Sequence, residues 1–336
     1  MFRWLDFKIT NRCNRRCTYC GVSHDTPSSP EILGVDVVQA ALGDALRLGF
    51  AHFALLGGEP SLRHNIADVF EPFRGQIRAR SLIVITNGVV FNEALYRGLF
   101  STNAEAATLV FSLDSLRAPN YKSQNPETSL DHLRAIQAVA REYDGVNGRR
   151  EVSVHAVISR ENLWDVESHV ETLLNLGIDV SLALVCPACF LDTETAKAFN
   201  EFSHAELGGI LRQLESLDRR GRLNFANRTL LSYLRADGYG KMRLSGSCRA
   251  GRQVVIINSD GEVYPCIPES YGGGGSFGNI SREHFSAIFP RMASFKCRSS
   301  VSQACWDHFM WDNLAANHED PVGDAGTVMS GRAGGS

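Results

Sequence analysis

An α/β fold built on a parallel sheet is what this 336-residue chain predicts. Three observations carry the prediction. Up to about residue 190, six short apolar runs alternate with segments of helical period, the pattern of repeated strand–helix–strand units. Three cysteines, Cys13, Cys17 and Cys20, follow the first run at once in the spacing C-x3-C-x2-C. A second cysteine-bearing stretch, from about Gly246 to Trp311, opens with a hairpin pattern.

The first strand is expected at Leu5 to Thr10, within the run Trp4-Leu-Asp-Phe-Lys-Ile-Thr10. Others are expected at His52 to Leu56, Leu82 to Thr86, Thr108 to Leu113, Val152 to Ile158 and Val180 to Val185. Amphipathic helices are expected between them at Val35 to Leu48, Ile66 to Phe73, Asn92 to Leu99, Ser129 to Glu142 and Trp164 to Leu176. Right-handed crossovers curl such units into a barrel or an open doubly wound sheet, and the pattern alone does not choose between them. From Ser203 to Asp237 the stripe Leu207, Ile210, Leu211, Leu214 and Leu217 predicts a helical bridge. The hairpin between Cys248 and Cys266 is expected to turn at Ser259-Asp-Gly261. The tail to Ser336 is rich in Gly, Ala and Ser, a composition that favours disorder. The expected units are residues 1–200, 201–245, 246–315 and 316–336.

A net charge of −3 supplies no global basic field for nucleic acid or anionic lipid. The N-terminus alternates charged and apolar residues and has no signal-peptide core. No apolar run reaches membrane-spanning length. A cytoplasmic setting is therefore expected, where thiols stay reduced and clustered cysteines read as metal ligands. The cluster Asn11-Arg-Cys-Asn-Arg-Arg-Cys17 reads either as charge stabilising an anionic group or as a solvated loop.

C-x3-C-x2-C lets one loop place three thiolates around an iron–sulfur cluster and leaves one iron open, whereas four cysteines close every iron. Zinc is the competing reading, but its sites usually pair C-x2-C with a second pair or with histidines. After the second predicted strand comes Gly57-Gly58-Glu59-Pro60. Its glycines allow close backbone approach to a ligand, and Glu59 offers a carboxylate to an ammonium group.

With these motifs the chain resembles the radical S-adenosylmethionine (radical SAM) superfamily. The resemblance implies a partial (β/α)6 barrel with its site at the C-terminal ends of the strands. It assigns Cys13, Cys17 and Cys20 to a SAM-binding [4Fe–4S] cluster. Gly57, Gly58, Glu59 and Pro60 would bind the SAM amino group, Tyr19 would lie by the adenine, and Asn87, Ser112 and Asp114 would contact other parts of SAM. A flavodoxin- or ferredoxin-type electron donor is implied.

Cys248, the Asp-Gly hairpin and Cys266 resemble the opening of SPASM and twitch auxiliary-cluster domains. Cys297 and Cys305 complete four thiolates, so one auxiliary [4Fe–4S] cluster is expected in a small C-terminal domain. A four-cysteine zinc site is the alternative there. Cys186-Pro-Ala-Cys189 has three readings: a substrate-facing redox thiol pair, cluster ligands, or buried small residues. His155 shares the parity of Ser153. It is a proton acceptor near substrate if that parity faces the barrel interior, and a core histidine otherwise.

The expected chemistry is reductive cleavage of SAM to a 5′-deoxyadenosyl radical and hydrogen abstraction from substrate. The expected enzyme is a radical SAM oxidoreductase or epimerase. Relatives suggest a small polyhydroxylated substrate of the sugar, aminocyclitol or nucleoside class, as in antibiotic biosynthesis. With strand one at the chain start there is no room for a leader-binding domain, which favours the small molecule. A peptide maturase is the alternative, and a non-catalytic iron–sulfur protein the third reading.

Overall fold

A computed structural model describes residues 3–17, 20, 25–117, 126–184, 202–237, 250–271 and 274–295. All six expected strands form: β1 (Trp4–Thr10), β2 (His52–Gly57), β3 (Ser81–Thr86), β4 (Ala106–Ser112), β5 (Arg149–Ile158) and β6 (Asp179–Leu184). They pair in parallel and in sequence order, with helices α1 (Val35–Arg47), α2 (Ile66–Val69), α3 (Glu93–Phe100), α4 (Pro126–Tyr143) and α5 (Val166–Asn175) as crossovers. Strand β6 ends the sheet without returning to β1, so the barrel is partial.

Alternation along each strand sorts two faces. Leu5, Phe7, Phe53, Leu55, Leu82, Val84, Leu109, Phe111, Val154, Ala156, Val180 and Leu182 enter one apolar core with Val38, Leu42 and Ala45 of α1 and Leu95 and Leu99 of α3. The opposite parity forms the concave face. It carries Asp6, Lys8, His52, Ser81, Glu151, Ser153, His155, Asp179 and Ser181, too polar to serve as a barrel core.

Two elements depart from the expected bounds for local reasons. The helix expected from Ile66 to Phe73 breaks after one turn into a 3-10 turn, Glu71–Arg74. Pro72 lacks the N–H that an α-helix would use there, and its ring clashes with the carbonyl four residues back. Helix α4 begins three residues early, at Pro126. Proline suits a first helical position because its missing N–H has no intrahelical partner.

The helical bridge forms as α6 (His204–Arg219) and α7 (Phe225–Asp237). Ser203 and Glu206 close a reciprocal capping box at the start of α6. Helix α7 blunts the exposed edge of β6. The Asn227 amide donates to the Val180 carbonyl (2.8 Å) and accepts from the Leu182 N–H (2.9 Å), standing in for a missing strand.

The hairpin after residue 250 does not stand apart. Strand β7 (Val254–Ile257) pairs in parallel with β1, from Trp4↔Val254 to Phe7↔Ile257, and β8 (Val263–Tyr264) pairs antiparallel to β7. One eight-stranded sheet therefore runs β6-β5-β4-β3-β2-β1-β7-β8. Between β7 and β8 the Gly261 N–H donates to the Asn258 carbonyl at 2.9 Å. The short helix α8 (Ile267–Tyr271) follows Cys266, and α9 (Phe285–Ile288) docks on α1. There the buried Asp44 carboxylate accepts the Ser286 N–H at 3.0 Å, and Phe50 meets Phe285 and Phe289 edge-on at 5.7 and 5.0 Å. Among the described residues no helix is long and apolar enough to cross a membrane.

Candidate functional site

The cysteine loop leaves the C-terminal end of β1 and is tied at its base. The Cys13 N–H donates to the Asp25 carbonyl (3.1 Å) and the Asp25 N–H to the Asn11 carbonyl (3.0 Å), a two-bond bridge that returns the chain to its start. Arg12 holds Glu31 at 3.1 Å. The Arg16 guanidinium donates to the carbonyls of Cys13 (3.1 Å) and Arg15 (2.7 Å). Within the loop the Cys20 N–H reaches the Cys17 carbonyl at 3.1 Å. The basic stretch thus divides its work. Arg12 and Arg16 brace the loop backbone, and the buried Arg15 lends its charge to Cys17.

The glycines of Gly57-Gly58-Glu59-Pro60 let two stretches of backbone come close together. Gly57 has φ +146°, and a Cβ there would lie 2.2 Å from the Thr10 carbonyl oxygen. A Cβ on Gly58 would lie 2.2 Å from the Arg12 carbonyl oxygen. The Gly58 N–H donates to Thr10 (2.8 Å) and the Glu59 N–H to Arg12 (2.7 Å). The close approach is between the end of β2 and the root of the cysteine loop.

Glu59 is held from three sides. It is 1% exposed, and its carboxylate accepts from the Ser61 N–H (2.9 Å), the Thr86 hydroxyl (2.6 Å) and the Asn87 N–H (2.6 Å). Burial raises its pKa, and those three donors act against the rise. A side chain so enclosed fixes the ends of β2 and β3 to each other. Pro60 opens the buried 3-10 turn Pro60–Leu62 that Glu59 caps.

Asn87 extends the same network to the loop, its amide donating to the Asn14 side chain at 2.9 Å and accepting the Val89 N–H at 3.0 Å. Asp114, just past β4, accepts the Val157 N–H at 2.8 Å and lies close enough to Cys17 to oppose its ionisation. Ser112 and His155 are register partners, as are His155 and Ser181. This row crosses the concave face, with His155 Nδ1 2.9 Å from the Ser181 hydroxyl. Burial lowers the His155 pKa, so the ring is neutral at pH 7. Cys266 lies at the end of the hairpin, half-buried, just before α8. Tyr19, Cys186, Cys189, Cys248, Cys297 and Cys305 lie outside the described residues.

The loop fits an iron–sulfur cluster by its donor chemistry. Cys20 lies close enough to Cys13 and Cys17 to raise the pKa of both, and Cys13 adds to the rise at Cys17. Burial raises Cys13 and pushes Cys17 up to about 11, so the pocket favours neutral thiols until a metal replaces the protons. Cys13 Sγ already accepts the Arg15 N–H at 3.4 Å, the kind of bond that tunes a cluster thiolate. Among the described residues no three His, Cys, Asp or Glu converge on one point, as a single ion requires. A four-iron cluster binds each thiolate through a different iron and needs no such convergence.

Arg63 is the residue that sequence reasoning missed. Its guanidinium, fully enclosed, donates to the carbonyls of Ile9 (2.5 Å) and Leu33 (2.9 Å) and faces Glu31 at 3.6 Å. It pins the last turn of β1 from behind while Arg12 holds the same Glu31 from the loop side. Charged residues are rarely enclosed, and an arginine three positions after a proline carries no signal of burial.

A profile of the Radical SAM superfamily matches residues 7–173, and one of the SPASM iron–sulfur cluster-binding domain matches residues 248–307. A GTP 3′,8-cyclase of Desulforamulus reducens is 32% identical over 137 residues, 39% of this chain and 38% of its own. The chain spans about half the length of further GTP 3′,8-cyclases that it matches. A PqqA peptide cyclase of Methylobacterium sp. is 22% identical over 321 residues, 88% of this chain and 74% of that one. Among solved structures, Streptococcus suis SuiB bound to the precursor peptide SuiA superposes with TM-score 0.64 at 15% identity, covering 96% of this chain and 74% of SuiB. The superfamily's cofactors are a [4Fe–4S] cluster and SAM, and the SPASM domain adds auxiliary iron–sulfur binding. The chain belongs to the radical SAM superfamily and carries a SPASM domain at its C-terminal end.

Proposed function

We propose that the protein is a maturase that modifies a side chain or backbone position of a ribosomally made peptide by crosslinking, oxidation or epimerisation. The extent of the likenesses carries this reading. Matches to GTP 3′,8-cyclases cover 39–53% of the chain. Matches that run nearly end to end include a PqqA peptide cyclase and SuiB, the latter solved bound to the precursor peptide SuiA. Another solved structure of similar fold is anSMEcpe with a bound peptide. The expectation of a polyhydroxylated small molecule gives way to the peptide on this ground.

When bound, the cluster and SAM supply a 5′-deoxyadenosyl radical that takes a hydrogen atom from the substrate. The chain's own residues shape where that happens. Arg12, Arg16, Arg63 and the Asp25 bridge fix the thiol loop at the end of β1. Glu59 locks β2 and β3 beside it, and Asn87 couples that lock to Asn14 of the loop. The polar row of Ser112, His155 and Ser181 lines the concave face below and gives a substrate hydrogen-bonding partners.

The test is anaerobic reconstitution with SAM and dithionite, followed by mass spectrometry of 5′-deoxyadenosine and of the added substrates. A random-sequence peptide library is compared with GTP and with a panel of sugars, aminocyclitols and nucleosides. Peptides are expected to raise 5′-deoxyadenosine above the substrate-free rate and to yield a peptide of altered mass or stereochemistry. Stimulation by GTP or by the polyol panel, with none from peptides, would overturn the reading.

A further inference from the structure

We propose that the base of the barrel holds a second site, for the ammonium end of a small amino acid, built from Glu151, Ser153 and Asp179. The three line a cavity of about 250 Å³. They lie at the N-terminal ends of β5 and β6, the opposite end of the sheet from the cysteine loop. Ser153 and Asp179 are register partners on adjacent strands, and Glu151 leaves the same face two residues earlier.

What points to a ligand is unmet hydrogen-bonding capacity and unneutralised charge. Ser153 is 2% exposed, yet its hydroxyl has no hydrogen-bond partner. Burial raises Asp179 to about 6 and raises Glu151, to which Asp179 adds repulsion. Arg149, 3.9 Å from Glu151, and the Thr108 hydroxyl oppose the rise at Glu151, whereas burial alone acts on Asp179. The Arg150 guanidinium is engaged by the carbonyls of Phe100, Thr102 and Ala104.

An ammonium group has three donors, enough for the Ser153 hydroxyl, Asp179 and Glu151, and its positive charge answers the buried carboxylate of Asp179, on which burial alone acts. A dedicated divalent-ion site fits less well. Among the described residues no three anionic or imidazole ligands converge, and arginines flank the cavity. Gln137 and the exposed Arg141 also line it, and a guanidinium there suits a carboxylate. The volume lies below the roughly 300–1,000 Å³ of pockets for drug-sized ligands, which restricts the occupant to a small zwitterion.

Calorimetric titration of the reconstituted holoenzyme tests this with L-alanine, L-alaninamide, N-acetyl-L-alanine and magnesium chloride. L-alanine and L-alaninamide are expected to bind saturably at millimolar concentrations, and N-acetyl-L-alanine, which lacks the ammonium, not to bind. Asp179→Asn, which keeps the shape of the side chain, and Ser153→Ala should each weaken L-alanine; for Asp179→Asn the loss of a charge-assisted bond predicts roughly ten- to a hundredfold. The absence of saturable binding by L-alanine, equal binding of the N-acetyl compound, or indifference to both variants would overturn the proposal. So would a magnesium heat abolished by Asp179→Asn, which makes the site a metal site instead.

Discussion

At Gly57 the chain has φ +146° and passes so near Thr10 that a Cβ would lie 2.2 Å from its carbonyl oxygen. Gly57→Ala therefore has to push the end of β2 away from the root of the cysteine loop. We expect a loss of about 1–3 kcal/mol from backbone strain alone, and iron content after reconstitution well below wild type. Iron and sulfide assays beside a denaturation curve check both, and full iron loading in a stable variant would refute the link between the two. The tie between Gly57 and Thr10 was not legible in the sequence, because the two lie 47 residues apart. The enclosure of Glu59 was not legible for the same reason, since Thr86 and the Asn87 N–H come from another strand end. Asp179 gives a prediction with a definite pH window. Its folded value of about 6 lies above the ordinary 3.8, so the folded chain holds the proton more tightly than the unfolded one. That stabilising contribution is complete below about pH 4 and is lost as pH rises through 6. Asp179→Asn is accordingly expected to stabilise the protein at pH 8 by about 1–2 kcal/mol, discounted for solvent screening, and to leave it unchanged or weaker at pH 4. Melting temperatures measured at both values decide it.

At the scale of elements, the edge of β6 rests on two asparagines, Asn224 and Asn227, of which only Asn227 reaches the Leu182 N–H. Asn227 is 1% exposed and bonds both the Val180 carbonyl and the Leu182 N–H. Asn227→Ala leaves the buried Leu182 N–H without a partner, while the Val180 carbonyl keeps the Asn224 amide at 2.9 Å. It should cost about 1–3 kcal/mol and should speed hydrogen exchange at the Leu182 amide more than at amides of β2, which is paired on both sides. Uniform exchange across the sheet would show that the edge is held by something else. The strands themselves were readable because alternation in Phe53–Leu55 or Val154–Ala156 records a face buried against helices. Helix ends were less readable: α4 starts at Pro126, three residues before the Ser129 that the apolar period suggested. The edge function of Asn227 was not readable, because an asparagine inside a helical stripe carries no mark of what lies across from it.

Over the whole molecule, the hairpin is where composition and architecture diverge. Its cysteines, glycines and turn residues mark it as a unit of its own, and the SPASM profile begins at residue 248. Yet β7 supplies the second hydrogen-bonding partner of β1, and Phe285, Ile288 and Met292 belong to the same apolar core as Phe7 and Leu42. The strand that launches the cysteine loop is thus held on one side by the barrel and on the other by the C-terminal segment. Pairing of residues some 250 positions apart leaves no local trace in the sequence. A chain ending at residue 249 should then fail to fold as a barrel. It would expose the β7 edge of β1 and the faces of Phe50 and α1 that α9 covers, and Asp44 would lose the Ser286 N–H. Large apolar surfaces bared in this way drive aggregation. Expression of that truncation should give aggregated or molten material by size exclusion and near-ultraviolet circular dichroism. A monodisperse, cooperatively melting fragment that still assembles iron at Cys13, Cys17 and Cys20 would instead make the barrel autonomous and the shared sheet a docking contact between two independently stable parts.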